Sequence, residues 1–282
     1  MPKKIETKAT ALRRQLIDSG YCQIPSVAPQ ELIERTRGLA DAIAEAVPEE
    51  EARRKRLQGS IISVNVHESM VPIITLPEAL EALRNLGFEK PRFYSGYIIS
   101  KPPENAPALY WHQDGILWDQ PISYTDTPHQ LFLMYYLIDT NRSNGCLRVI
   151  PGSHRKRHRL HGLPPAHTDE IQNADDRHPA LQSDPDEVDV PVRPGDLVIG
   201  DARLLHAAHP NRSSQRRTVI TLWFCPTYYE MPENIQAYYD RKLSKPPSWS
   251  DENWTRLESI STSYDGAAEP AKGSRIPDDR LS

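Results

Sequence analysis

The chain has 282 residues, of which 38 % are hydrophobic and 26 % charged, with a formal net charge of −4. That length buries a substantial core and excludes a disulfide-stapled mini-protein, and the charge balance excludes a basic nucleic-acid binder. Its 26 prolines against 13 glycines invert the usual order; proline is confined to turns, sheet edges and first helical turns, so a helical bundle or coiled coil is excluded.

Leu12 and Leu16, four apart before Gly20, predict a first helix. Tyr21 to Pro25 reads as a short strand. Pro29 opens a longer helix, with Leu32, Thr36, Leu39, Ile43 and Val47 near helical spacing. The charged run Glu49 to Arg56 reads as a solvated helix end or loop, and Pro77 to Gly87 as a short helix. From about residue 60 the pattern changes to short runs rich in β-branched and aromatic residues, broken by Pro, Gly, Asn and Asp. Strands are predicted at Ile61–Val66, Phe93–Ser100, Leu109–Asp114, Leu131–Ile138, Cys146–Ile150, Val188–Val192, Leu197–Ile199 and Thr218–Cys225. Asn144-Gly145 and Pro194-Gly195-Asp196 are turn signals.

Few helical patterns separate these strands, so parallel βαβ units are not expected. A mainly β chain with flanking α-helices fits best, its strands forming a jelly-roll, cupin-like barrel with the N-terminal helices on one sheet. One domain is expected over residues 1–282: helices at about 10–60, barrel core at about 60–228, and a C-terminal helix and tail at 229–282. The polar stretch Gly162 to Glu187 is expected to cross the barrel mouth, and residues 262–282 to be extended or frayed. No apolar run reaches the roughly 20 residues that span a membrane. Cys22, Cys146 and Cys225 lack metal or disulfide spacing, and the N-terminus lacks a secretory signal; a cytoplasmic setting is expected. Oligomeric state is not legible.

His-x-Asp on a strand points two potential ligands to one face. The pattern occurs twice, at His112-Gln113-Asp114 and His167-Thr168-Asp169. The first follows the apolar Ala108-Leu109-Tyr110-Trp111 and reads as a metal pair; the second follows Pro164-Pro165-Ala166 in a polar stretch and reads as chance. A third ligand is expected from another strand, with His206 the first candidate and His209 its competitor. Two imidazoles and one carboxylate, with open positions opposite, is the arrangement of non-haem Fe(II) oxygenases. Arg217 opens an apolar strand, where a buried guanidinium needs an anion; its planar fork suits a carboxylate. His154, His129, His67 and Cys146 read as structural, and the basic run Arg155 to His161 as a solvated loop or an attractor of anions. Trp111, Trp118, Tyr135 and Tyr136 divide evenly between core and cavity.

Trp111-His112-Gln113-Asp114, then Asn144-Gly145-Cys146-Leu147-Arg148-Val149-Ile150-Pro151-Gly152-Ser153-His154, then Gly195-Asp196, His206, Asn211, Ser213 and Arg217 resemble the phytanoyl-CoA dioxygenase-like family of Fe(II)/2-oxoglutarate oxygenases in order and spacing. The resemblance implies a double-stranded β-helix. It also implies iron held by His112, Asp114 and His206, Arg217 on the distal carboxylate of 2-oxoglutarate, and Tyr97 as a further contact to that co-substrate. The implied reaction uses Fe(II), 2-oxoglutarate and O2 to hydroxylate a small organic molecule, a specialised metabolite, releasing succinate and CO2. Ala208 departs from the pattern, since relatives often place a hydroxyl there. Asp114 sets the chain apart from the related halogenases, which have Gly or Ala at this position; hydroxylation, or a desaturation or cyclisation, is implied instead. The alternatives are a jelly-roll metal- or ligand-binding protein without oxygenase activity, and a zinc hydrolase on the same three ligands.

Overall fold

The computed structural model describes residues 7–48, 50–51, 60–104, 106–166 and 168–282. Thr7 caps α1 (Lys8–Ser19), accepting from the Thr10 backbone N–H, and Gly20 ends it in a left-handed conformation. β1 (Tyr21–Ile24) and α2 (Gln30–Glu45) follow, then β2 (Ser60–Ser63) and α3 (Pro77–Asn85). The remaining strands are β3 (Arg92–Lys101), β4 (Leu109–His112), β5 (Leu131–Tyr136), β6 (Leu147–Val149), β7 (Val188–Val190), β8 (Leu197–Asp201), β9 (His206–Ala208) and β10 (Arg217–Cys225). Two C-terminal helices, α4 (Glu233–Tyr239) and α5 (Asp251–Ile260), replace the single one expected.

The strands pair antiparallel into two sheets, one ordered β1-β8-β5-β10-β3-β2 and one ordered β4-β9-β6-β7. Among the described residues no ladder joins them, so they are two sheets rather than a closed barrel. The unbroken apolar run of β5 is explained by burial on both faces. Leu131, Leu133 and Tyr135 pack toward the helices with Ile33, Ala40 and Leu83, whereas Phe132, Met134 and Tyr136 meet Leu147 and Val149 of the smaller sheet. Gly200 on β8 is required by this packing, because a Cβ there would lie 2.0 Å from the Phe132 ring.

Several expected boundaries shift. The run predicted as a strand from Ile61 to Val66 leaves the sheet after Ser63 and closes a 3-10 turn at Val64–Val66. β4 ends at His112, so Asp114 lies just beyond it. Among the described residues of Gly162 to Glu187, Ile171, Ala174, Ala180 and Leu181 anchor the stretch on Tyr110, and Gln172 lines the cavity between the sheets. The tail is extended as expected, yet held: Leu117 bridges Ser274, Ser274 N–H donates to the Ile116 carbonyl at 2.8 Å, and Leu281 is buried. Most of Glu49 to Arg56, and His167, lie outside the described residues.

The turn before β9 is built on a buried ion pair that the sequence reading did not find. Arg203 donates through Nε and Nη2 to Asp201 at 2.9 and 2.6 Å, and through Nη1 to the Ser123 and Thr125 carbonyls at 2.8 Å each. Arg203→Met would strand the Asp201 charge in the interior; a stability loss of about 3–5 kcal/mol is expected, read as a lowered urea midpoint. Burial pushes the Asp201 carboxyl up, but Arg203 outweighs it, and the group lies below the usual carboxylate range. This contribution is therefore complete above about pH 4 and lost as pH falls further.

Candidate metal centre and its cavity

Cross-strand pairing brings the two histidines together. β4 and β9 run antiparallel with His112 directly opposite His206, and the ring centroids are 4.2 Å apart. His112 Nδ1 lies 3.0 Å from the Tyr110 carbonyl and His206 Nδ1 3.0 Å from the Leu204 carbonyl. A carbonyl only accepts, so each Nδ1 carries the proton and each Nε2 presents a lone pair. Both Nε2 atoms turn to Asp114: His112 Nε2 is 3.7 Å from Oδ1 and His206 Nε2 is 3.7 Å from Oδ2. Two ligands each about 2.1 Å from one metal lie at most about 4.2 Å apart, so this spacing accommodates a shared ion. Among the described residues these three form one of three groups able to hold a metal.

Asp114 is fixed from the larger sheet. The Trp223 indole N–H on β10 donates to its Oδ2 at 2.9 Å. Burial pushes the carboxyl up, but His206, His112 and the Trp223 hydrogen bond outweigh it, and the net position is below the usual carboxylate range. A partner that orients a ligating carboxylate governs metal affinity. Trp223→Phe keeps the ring and removes the donor; a 10- to 100-fold weaker affinity for Fe(II) or Mn(II) is expected, read by anaerobic titration.

The triad opens into a cavity of about 600 Å³ that Arg217, Tyr97 and Thr221 also line. Arg217 is 2 % exposed. Its guanidinium lies over the Tyr136 ring at 5.6 Å, and no carboxylate among the described residues pairs with it; Nε has no hydrogen-bond partner. The nearby Lys101 ammonium donates to the Pro107 carbonyl, and burial, then Arg217 and Arg148, hold its pKa well below the ordinary value. Gly145, at φ +91°, makes room for Arg217: a Cβ there would sit 3.2 Å from its Nε. Tyr97 packs edge-on against Trp223 with ring centroids 5.6 Å apart. Ala208 contributes no hydroxyl, but the Thr221 Oγ1 on β10 is buried without a partner in the same cavity.

His209 does not join this group; its Nε2 lies 2.6 Å from Asp189 Oδ1. Asp169 begins a one-turn helix, Asp169–Gln172. His154 braces the N-terminal helix, its Nε2 2.9 Å from the Ile17 carbonyl, and Ser153 Oγ accepts from the Leu205 N–H just before β9. Of the four aromatics left open, Tyr136 lines the cavity, Tyr135 faces the helices, and Trp111 and Trp118 donate to Gln182 O and Gln113 Oε1. The basic run is engaged elsewhere: Arg155 pairs with Asp126, Arg157 holds the Pro277 carbonyl and Arg159 pairs with Asp184. Trp223, Thr221, Arg241 and Arg275 were missed as site residues. The inward alternation Arg217, Val219, Thr221, Trp223 along β10 could have revealed the first two.

Two antiparallel sheets under helices, with two histidines and a carboxylate converging between them, define a mainly β protein with a cleft whose residues could hold a metal ion. Residues 17–219 match the family model for phytanoyl-CoA dioxygenase (PhyH), and the chain belongs to that family. It is 31 % identical over 172 residues to "Phytanoyl-CoA dioxygenase 1" of Oryza sativa subsp. japonica, a match covering 59 % of this chain and 56 % of the relative. That match thus spans little more than half of the rice protein. It is 26 % identical over 227 residues to the "Probable alpha-ketoglutarate-dependent hypophosphite dioxygenase" of Stutzerimonas stutzeri, covering 75 % of this chain and 77 % of the relative. The solved structure of the epimerase SnoN in complex with Fe3+, alpha-ketoglutarate and nogalamycin RO superposes with a TM-score of 0.57 at 18 % identity and covers 97 % of both chains. That likeness shows a shared fold.

Proposed function

We propose that this chain is an Fe(II)/2-oxoglutarate-dependent dioxygenase that hydroxylates a small organic molecule, a specialised metabolite. The observation that carries the reading is the unpaired, buried Arg217 guanidinium in the same cavity as His112, Asp114 and His206. Family membership and the iron and alpha-ketoglutarate named for the solved relative support it. We read the two sheets as a double-stranded β-helix, residues 1–282 as one oxygenase unit, and the setting as cytoplasmic. Among the described residues no helix is long and apolar enough to cross a membrane.

In this reading His112, Asp114 and His206 would hold Fe(II), their donor set being that of the two-histidine, one-carboxylate oxygenases. Arg217 would hold the distal carboxylate of 2-oxoglutarate through its planar fork. Tyr97 would contact the same co-substrate, and the Thr221 hydroxyl would supply the donor that Ala208 lacks. When bound, iron, 2-oxoglutarate and O2 supply the oxidising chemistry that yields succinate, CO2 and hydroxylated product. The chain's own part is orientation and exclusion of water: the backbone carbonyls of Tyr110 and Leu204 set both imidazole tautomers, Trp223 aims Asp114, and apolar walls such as Ile99 and Met134 keep the cleft dry. A non-oxygenase binding protein or a zinc hydrolase has no use for the buried guanidinium. The test is succinate release from 2-oxoglutarate with Fe(II) and O2 across a metabolite library. Stimulated release is the expected result; a protein that neither binds nor consumes 2-oxoglutarate beside any compound overturns the reading.

A further inference from the structure

The cavity wall carries three arginines, Arg217, Arg241 and Arg275, but one carboxylate, Asp114. In the loaded state proposed above, the two positive charges of Fe(II) are matched by the two carboxylates of 2-oxoglutarate, and Asp114 offsets one guanidinium. Among the lining residues, two guanidiniums are left without a matching carboxylate. Arg217 is assigned to 2-oxoglutarate, so the surplus falls on Arg241 and Arg275.

Both are placed by local structure at one end of the cavity. The Arg275 carbonyl accepts from Gln113 Nε2 at 3.0 Å, and the adjoining Ser274 is hydrogen-bonded to Ile116 and Trp118 at 2.8 and 3.0 Å. The tail thereby delivers Arg275 beside the His112–Asp114 segment. Arg241 follows α4 and lies over the Tyr94 ring at 4.6 Å. Burial raises the Tyr238 phenol, Arg275 and Arg241 act against that rise and the Asp119 carboxylate acts with it, so two positive charges and one negative surround this side chain. Among the described residues neither guanidinium forms an ion pair with a carboxylate, and Asp240, beside Arg241, accepts from the Lys242 N–H. Strand register separates this end from Arg217. Arg217 lies opposite Lys101 on β3, and Tyr94 is seven residues back along that strand, about 20 Å at strand rise. The rest of the wall mixes apolar residues, Ile61, Ile99, Leu109 and Met134, with polar ones such as Ser95, Tyr97, Gln130 and Thr221.

We propose that Arg241 and Arg275 form a second anion-recognition site, distinct from that of Arg217, which takes a carboxylate or like oxyanion of the primary substrate; the substrate is an acid with an apolar body. This rests on the oxygenase reading of the same cavity.

The test loads the full chain with Mn(II) and saturating 2-oxoglutarate. Calorimetry then compares arylalkanoic acids of increasing chain length, each beside its uncharged primary amide. At least one acid is expected to bind about tenfold more tightly than its amide, as a charge-assisted hydrogen bond confers. Arg241→Gln and Arg275→Gln should each move that ratio toward one, and Arg275→Glu should turn the preference toward arylalkylamines. No preference for any acid over its amide, or an unchanged ratio in both glutamine variants, overturns the proposal while leaving the oxygenase reading standing. Loss of 2-oxoglutarate affinity in the glutamine variants also overturns it, by assigning the arginines to the co-substrate. Failure of the wild-type chain to take up 2-oxoglutarate removes both readings.

Discussion

Replacing Asp114 by alanine is expected to reduce 2-oxoglutarate turnover by at least about a thousandfold, since a metal ion contributes several kcal/mol of transition-state stabilisation and each 1.36 kcal/mol is tenfold in rate. The loss should come from the metal. Asp114 is the carboxylate that both Nε2 atoms face at 3.7 Å, and alanine leaves two neutral imidazoles. Anaerobic reconstitution should show Fe(II) uptake falling in parallel with turnover. The fold should survive, because Asp114 lies beyond the end of β4 and the neighbouring Gly115 N–H keeps its 2.7 Å bond to Ala202. An unchanged melting temperature with lost iron is the expected signature. Full activity in this variant would remove Asp114 from the centre.

Arg217→Gln should fail differently. Truncating one side of a buried, hydrogen-bonded charge pair costs about 2–5 kcal/mol, so the KM for 2-oxoglutarate should rise by about thirtyfold or more, with iron uptake retained. Removing a 2 %-exposed guanidinium that has no carboxylate partner should not destabilise the chain without ligand, and it relieves a buried charge. Burial already pulls the Arg217 pKa below its ordinary value, with Tyr136 and Cys146 acting in the opposite sense. A variant that keeps its affinity for 2-oxoglutarate would place the co-substrate elsewhere. The two variants together separate the metal's contribution from the co-substrate's.

Much of this site is legible along the chain because its members sit on strands or, like Asp114, just beyond one. His112 and Asp114 are two residues apart after an apolar segment, and Arg217 announces itself as a cation leading the apolar run Thr218 to Phe224. The choice between His206 and His209 is another matter. Both follow the same turn in the sequence, and only the pairing of His112 with His206 across β4 and β9 separates them. The strand β9 has three residues, too few for its alternation to show against the surrounding apolar and basic residues. The Asp201–Arg203 pair, two residues apart in a turn, resembles ordinary surface charge until its burial is seen.

The N-terminal helices, the run of short strands, the absence of βαβ units and the turns at Asn144-Gly145 and Pro194-Gly195 were all determined by local sequence. They rest on periodicity, proline and glycine, which act within a few residues. The tertiary structure alone decided how distant segments reach the cavity. The polar stretch Gly162 to Glu187 buries Ile171 and Leu181 against Tyr110 and brings Gln172 to the cavity wall, and the tail returns some 160 residues later in sequence to bind Ile116 and present Arg275 there. Such placement depends on contacts between distant segments, where hydrogen-bonding groups such as Gln113 Nε2 and the Ile116 carbonyl find partners that no local pattern encodes.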